Sequence, residues 1–134
     1  MAGLEDLYRE IILDHYRTPR NRGELPVPPA RHALGHNPLC GDEVVVFLDV
    51  GDDGRIADIR ISGQGCSISQ SSASMMTEAV KGKTRSEIEE LTRRFRSMMS
   101  LDGETDIDLD PERPGSVLGD LEALQGVRKY PVRI

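Results

Sequence analysis

Glu43-Val44-Val45-Val46-Phe47-Leu48-Asp49-Val50, then Gly51-Asp52-Asp53-Gly54, then Arg55-Ile56-Ala57-Asp58-Ile59-Arg60-Ile61-Ser62 is the stretch that decides the fold. A β-branched run, a Gly/Asp turn and a run of alternating apolar and polar residues together predict an antiparallel hairpin with one wet face. Upstream, residues 25–39 are rich in Pro and His and predict a loop or an irregular edge strand. Farther upstream, Leu4, Leu7, Tyr8, Ile11, Ile12, His15 and Tyr16 follow the helical repeat until Pro19 and Gly23 end it.

Downstream of the hairpin, Ile68, Ser72, Met75, Met76, Ala79 and Val80 repeat helically, with Gly82 as the stop. The serines of this helix are expected to permit close backbone approach to the sheet. Thr84-Arg85-Ser86-Glu87 has the form of a capping box, and Ile88, Leu91, Phe95, Met98 and Met99 form the apolar stripe of a third helix. Residues 101–115 are acidic and read as a solvated loop, after which a short helix is expected from Val117 to Leu124, ending at Gly126. This order predicts an α+β fold: a small antiparallel sheet of about three strands with helices packed on one face, in a single domain over residues 1–134.

The chain has 134 residues, 17 basic against 23 acidic, and a net charge of -6, which argues against non-specific nucleic-acid binding. No apolar stretch approaches the roughly 20 residues that span a bilayer, so no membrane partner is expected. The start Met1-Ala2-Gly3-Leu4-Glu5-Asp6 is acidic rather than secretory, which predicts a reducing cytoplasm for the two cysteines.

Those cysteines carry the chemistry. They lie in Asn37-Pro38-Leu39-Cys40-Gly41-Asp42 and in Gly63-Gln64-Gly65-Cys66-Ser67-Ile68-Ser69. A strand starting near Cys40 turns Cys40 and Asp42 to the same side. Cys66 follows Gly-x-Gly and precedes a helix, so its sulfur is expected near a helix N-terminus, where the dipole and free N–H groups favour thiolate. Two soft ligands and one hard ligand make a partial set for zinc or for an iron-sulfur cluster; a closed tetrahedral site needs one more.

Other motifs carry less. His15 falls on an apolar helical stripe and reads as a satisfied core-edge histidine; His32 and His36 fall in loop, with His36 a weak fourth-ligand candidate. An EF-hand starting at Asp106 fails, because Pro111 and Val117 occupy its Gly and Glu positions. Gly63-x-Gly65 fails as a dinucleotide fingerprint, with Ile68 in the third glycine's place.

Asp14-His15-Tyr16-x-x-Pro19-Arg20-Asn21, Gly35-x-Asn37-Pro38-x-Cys40-Gly41-Asp42, Gly63-x-Gly65-Cys66-x-Ile68-Ser69 and Met76-Thr77-Glu78 resemble, in order and over nearly the whole chain, the U-type iron-sulfur cluster assembly scaffold family. The acidic insertion and the end Gly126-Val127-Arg128-Lys129-Tyr130-Pro131-Val132-Arg133-Ile134 resemble its SufU branch. The resemblance implies the same α+β architecture and zinc held by Cys40, Asp42 and Cys66. It also implies a cysteine desulfurase of the SufS type that delivers persulfide sulfur to Cys40, and downstream iron-sulfur apoproteins or assembly factors that receive the product. Arg133 is implied beside the cysteines, as support for a thiolate. The same residues suit a scaffold for a labile iron-sulfur cluster, and a zinc-stabilised interaction domain is the non-chemical alternative. The family's third cysteine aligns just past Ile134, which leaves two expectations: a sequence cut short, or a site that lacks this ligand.

Overall fold

The computed structural model describes residues 2–38, 41–99 and 112–129. The elements run α1 (Ala2–Arg17), β1 (Arg31–Asn37), β2 (Asp42–Val50), β3 (Ile56–Gln64), α2 (Ser67–Val80), α3 (Arg85–Met98) and a 3-10 helix (Gly119–Lys129). The strands form one antiparallel sheet in the order β1-β2-β3. The expected α+β class, strand count and helical cover are all present. Residues 31–37, within the Pro/His-rich segment, make the edge strand β1.

The hairpin's alternation is not strict. Asp49 pairs with Asp58 but Val50 pairs with Ile56, so Ala57 is an extra residue in β3. Such a bulge resets which side chains face inward. It explains why Ile56, Ile59 and Ile61 are all buried although simple parity would turn Ile56 outward. Ile56 and Ile59 pack with Val80, Val46, Leu48, Met76, Ile88 and Leu91, the layer between sheet and helices. A second cluster joins Met75 of α2, Met98 and Met99 at the end of α3, and Leu118, Leu121 and Leu124. Both methionine pairs therefore contribute to the core, as their helical spacing suggests.

Local signals set the helix ends. Thr84 Oγ1 accepts from the Glu87 N–H while the Glu87 carboxylate accepts from the Thr84 N–H, the reciprocal capping box read in the sequence. Gly82, at φ +81°, lies just past Lys81, which caps α2.

Two expectations change. Ser71 and Ser74 of α2 face α1 rather than the sheet: both are fully buried, and Ser71 Oγ lies 2.8 Å from the Ile12 carbonyl of α1. Small polar side chains let these two helices approach, and each hydroxyl finds a partner. The last helix starts at Gly119 rather than Val117, has 3-10 geometry and runs through Gly126 to Lys129. Gly119 has φ +62°, a left-handed turn that no right-handed helix begun at Val117 can contain. The N–H groups of Gly115, Val117 and Leu118 instead donate to the buried carboxylate of Glu122, which closes the turn. The Asp106–Asp110 stretch lies outside the described residues.

Candidate metal and sulfur-transfer site

Cys66 is the N-cap of α2, with extended backbone (φ -71°, ψ 173°). Its Sγ accepts the Ser69 N–H at 3.4 Å, so the sulfur meets one of the unpaired donors at the helix start, as the sequence predicts. The Cys66 side chain is exposed and in no disulfide.

Asp42, the first residue of β2, comes alongside from the opposite chain segment. Its Oδ1 accepts the Cys66 N–H at 3.1 Å and its Oδ2 lies 4.0 Å from Cys66 Sγ. The approach depends on Gly65. A Cβ there would sit 2.7 Å from Asp42 Oδ1 and 2.9 Å from Ser69 Oγ, so only glycine leaves the carboxylate its place. Gly63 has the corresponding role two residues earlier: at φ +122°, a Cβ would fall 2.3 Å from the Glu43 carbonyl oxygen of the neighbouring strand. Arg22 also donates to the Gly63 carbonyl at 2.8 Å and ties down the end of β3. The glycines singled out in the sequence thus hold the β3–α2 connection against the start of β2.

The site opens beside a largely apolar cavity of about 500 Å³ between sheet and helices. Asp42, Ser69, Val44, Met76, Leu91 and Phe95 are among the residues that line it. His36 lines the same cavity from β1. Cys40 and Arg133 lie outside the described residues, so of the sequence-predicted site residues the structure brings together Asp42 and Cys66. Sequence reasoning missed Ser69, although its offset of three from an N-cap is the spacing at which an N–H meets a capping atom.

His15 is buried with no exposed surface, matching the reading of a satisfied histidine. Its partners, Ser74 on Nδ1 at 2.8 Å and Asp120 on Nε2 at 2.7 Å, lie far away in sequence.

The model for the NifU-like N terminal domain matches residues 7–134. The chain belongs to that family. Among its relatives is the zinc-dependent sulfurtransferase SufU of Bacillus subtilis, 42% identical over 99% of this chain and 83% of that protein. The iron-sulfur cluster assembly scaffold protein IscU of Streptococcus pyogenes is 36% identical over 100% of this chain and 77% of its own length. The crystal structure of a nitrogen-fixing NifU-like protein (N-terminal) from Brucella abortus superposes with a TM-score of 0.75 at 26% identity, covering 96% of this chain and 83% of that one. The U-type resemblance carried by four short segments is thereby established for the family. Among the described residues, no helix is long and apolar enough to cross a membrane.

Proposed function

We propose that this chain is a single U-type domain over residues 1–134 that accepts persulfide sulfur from a cysteine desulfurase at Cys40. Zinc is held by Cys40, Asp42 and Cys66. The observation that carries this reading is the pairing of Asp42 with Cys66 over a glycine that has no room for a side chain. Tetrahedral zinc, with Zn–S near 2.3 Å and Zn–O near 2.1 Å, would separate a sulfur from an oxygen ligand by about 3.6 Å. The observed 4.0 Å is within a small side-chain rotation of that value.

Zinc, when bound, supplies a Lewis acid that keeps cysteine ligands as thiolates at neutral pH. The rest is done by the chain. The Ser69 N–H at the start of α2 donates to Cys66 Sγ and orients the sulfur, and Asp42 fixes the Cys66 backbone through its N–H. Arg133 offers a cation to the thiolate or persulfide at Cys40. In the transfer, the Cys40 thiolate attacks the outer sulfur of the desulfurase persulfide. A new S–S bond forms at Cys40, the S–S bond on the desulfurase breaks, and its cysteine leaves as a thiolate. The proton on the transferred sulfur travels with it, so charge and electrons balance with no external oxidant or reductant. Downstream iron-sulfur apoproteins or assembly factors take the sulfur onward in the cytoplasm.

The name of the Bacillus relative supports this reading. A second reading, a labile iron-sulfur cluster carried as cargo by the same residues, is favoured by the mixed sulfur and oxygen donors, because Asp42 is a hard and exchangeable ligand to iron.

Elemental analysis and a desulfurase assay test the proposal together. The purified chain is expected to carry zinc and to speed alanine release from cysteine by a cysteine desulfurase. Gly65→Ala forces Asp42 away from Cys66 and is expected to weaken zinc retention against a chelator by about tenfold, a loss typical of disturbing a ligand's support. A chain that holds no zinc and leaves alanine release unchanged refutes the proposal.

A further inference from the structure

A second group of ligand-type side chains meets at the other end of α2. His15 of α1 is wholly buried, and its Nε2 lies 2.7 Å from Asp120 Oδ2 of the 3-10 helix and 3.6 Å from Glu78 Oε1 of α2. All three donor atoms lie within 4.8 Å of one another. Glu78 stands roughly 18 Å farther along the helix axis than Cys66, so the two groups share no ligand.

A histidine that only joins helices needs one acceptor for its Nε2–H, and Asp120 supplies it. Glu78 is beyond hydrogen-bond reach of the same nitrogen and brings a second negative charge up to the first. One proton on Nε2 cannot serve two carboxylates. A divalent cation in its place can, with ligand distances of about 2.0 to 2.2 Å to nitrogen and oxygen. The outer support is also present: Ser74 Oγ lies 2.8 Å from Nδ1, where it would accept the Nδ1–H of the metal-binding tautomer and leave the Nε2 lone pair for metal. The Arg20 backbone N–H donates to that same Oγ at 2.8 Å and holds it in position.

The surrounding charges leave the group open. Arg20 spends its guanidinium chiefly on Asp14, at 2.5 Å, and stands 3.6 Å from Glu78 Oε1. It lowers the repulsion between the carboxylates without covering them. Glu78 and Asp120 are 49% and 51% exposed, which gives water access to the remaining coordination positions.

The geometry points to a second, sulfur-free metal site formed by His15, Glu78 and Asp120, which takes a divalent transition metal with water completing the shell. An imidazole beside two carboxylates selects the zinc, iron(II) and manganese class over magnesium or calcium. The ion clamps α1 and the 3-10 helix onto α2, and the site stands whether or not Cys66 binds metal.

Co2+ and Zn2+ alone serve as probes. Wild-type chain is expected to bind one Co2+ with a sulfur-to-metal charge-transfer band and a second Co2+ without it. Asp120→Asn and Glu78→Gln, at half-exposed positions that tolerate the change, are expected to weaken the sulfur-free Co2+ by about tenfold or more and to leave the charge-transfer band in place. In Cys66→Ser the band is expected to vanish while the sulfur-free Co2+ stays and Zn2+ still raises Tm, since a ligand bound only by the folded chain stabilises it. Sulfur-free Co2+ bound equally well after both carboxylates are neutralised overturns the site. So does its absence from the wild-type chain at millimolar Co2+.

Discussion

Cys66→Ser is expected to strip zinc from the chain and to remove the stabilisation that zinc provides, on the order of several kcal/mol for a site whose binding is coupled to folding. The substitution separates the sulfur's capping role from its proposed role as a zinc ligand. As N-cap of α2, Cys66 accepts the Ser69 N–H through Sγ, and serine is the better residue for that task. The metal-free variant should therefore melt at or above the Tm of metal-free wild type. With zinc present the order should reverse, because a serine hydroxyl replaces a thiolate as ligand. Thermal melts with and without a chelator, alongside elemental analysis, read both effects. Unchanged zinc content in the variant removes Cys66 from the site.

Gly63→Ala is expected to destabilise the fold by about 3 kcal/mol, near the upper end for single substitutions, and to lower Tm by roughly 10 °C. Two costs combine. Gly63 has φ +122°, outside the range that side chains tolerate, and its Cβ would overlap the Glu43 carbonyl at 2.3 Å and crowd Val44 Cα at 3.1 Å. These are backbone atoms of β2, so relief means prying β3 from β2 next to Asp42. Gly41, also at positive φ (+70°), has nothing within 4 Å of its Cβ position, so Gly41→Ala bears the conformational cost without the clash and should be the milder change. Equal melting temperatures for the two variants contradict this account.

Local patterns in the sequence carry the elements whose stability is local. The capping box at Thr84, the helix start at Cys66 and the glycine after α2 are decided by residues within a turn of one another, and each appears in the structure where the sequence puts it. The β2–β3 hairpin is equally legible, but its bulge at Ala57 is not: an extra residue in one strand is visible only when both strands are in register. Val117 and Leu118 look helical by pattern, which sets the expected start of the last helix too early. The Glu122 carboxylate collects their N–H groups, and a left-handed glycine stands before Asp120.

The site shows the same division. Two short motifs point to Cys66 and Asp42, and the structure supplies what spacing cannot: the carboxylate accepts the cysteine's own N–H across 24 residues of chain. His15 reads as satisfied and is, but its partners Ser74 and Asp120 are 59 and 105 residues away, beyond any local pattern. Tertiary packing of α1 against α2 and the 3-10 helix creates that group.

The most direct test of the central claim is where the sulfur goes. After reaction of the zinc-loaded chain with a cysteine desulfurase and cysteine, mass spectrometry of alkylated peptides is expected to find one added sulfur on the peptide containing Cys40 and none on that containing Cys66. Cys40→Ala is expected to lose both the added sulfur and the stimulation of alanine release. Full stimulation by Cys40→Ala, or sulfur found on Cys66 alone, contradicts the acceptor reading.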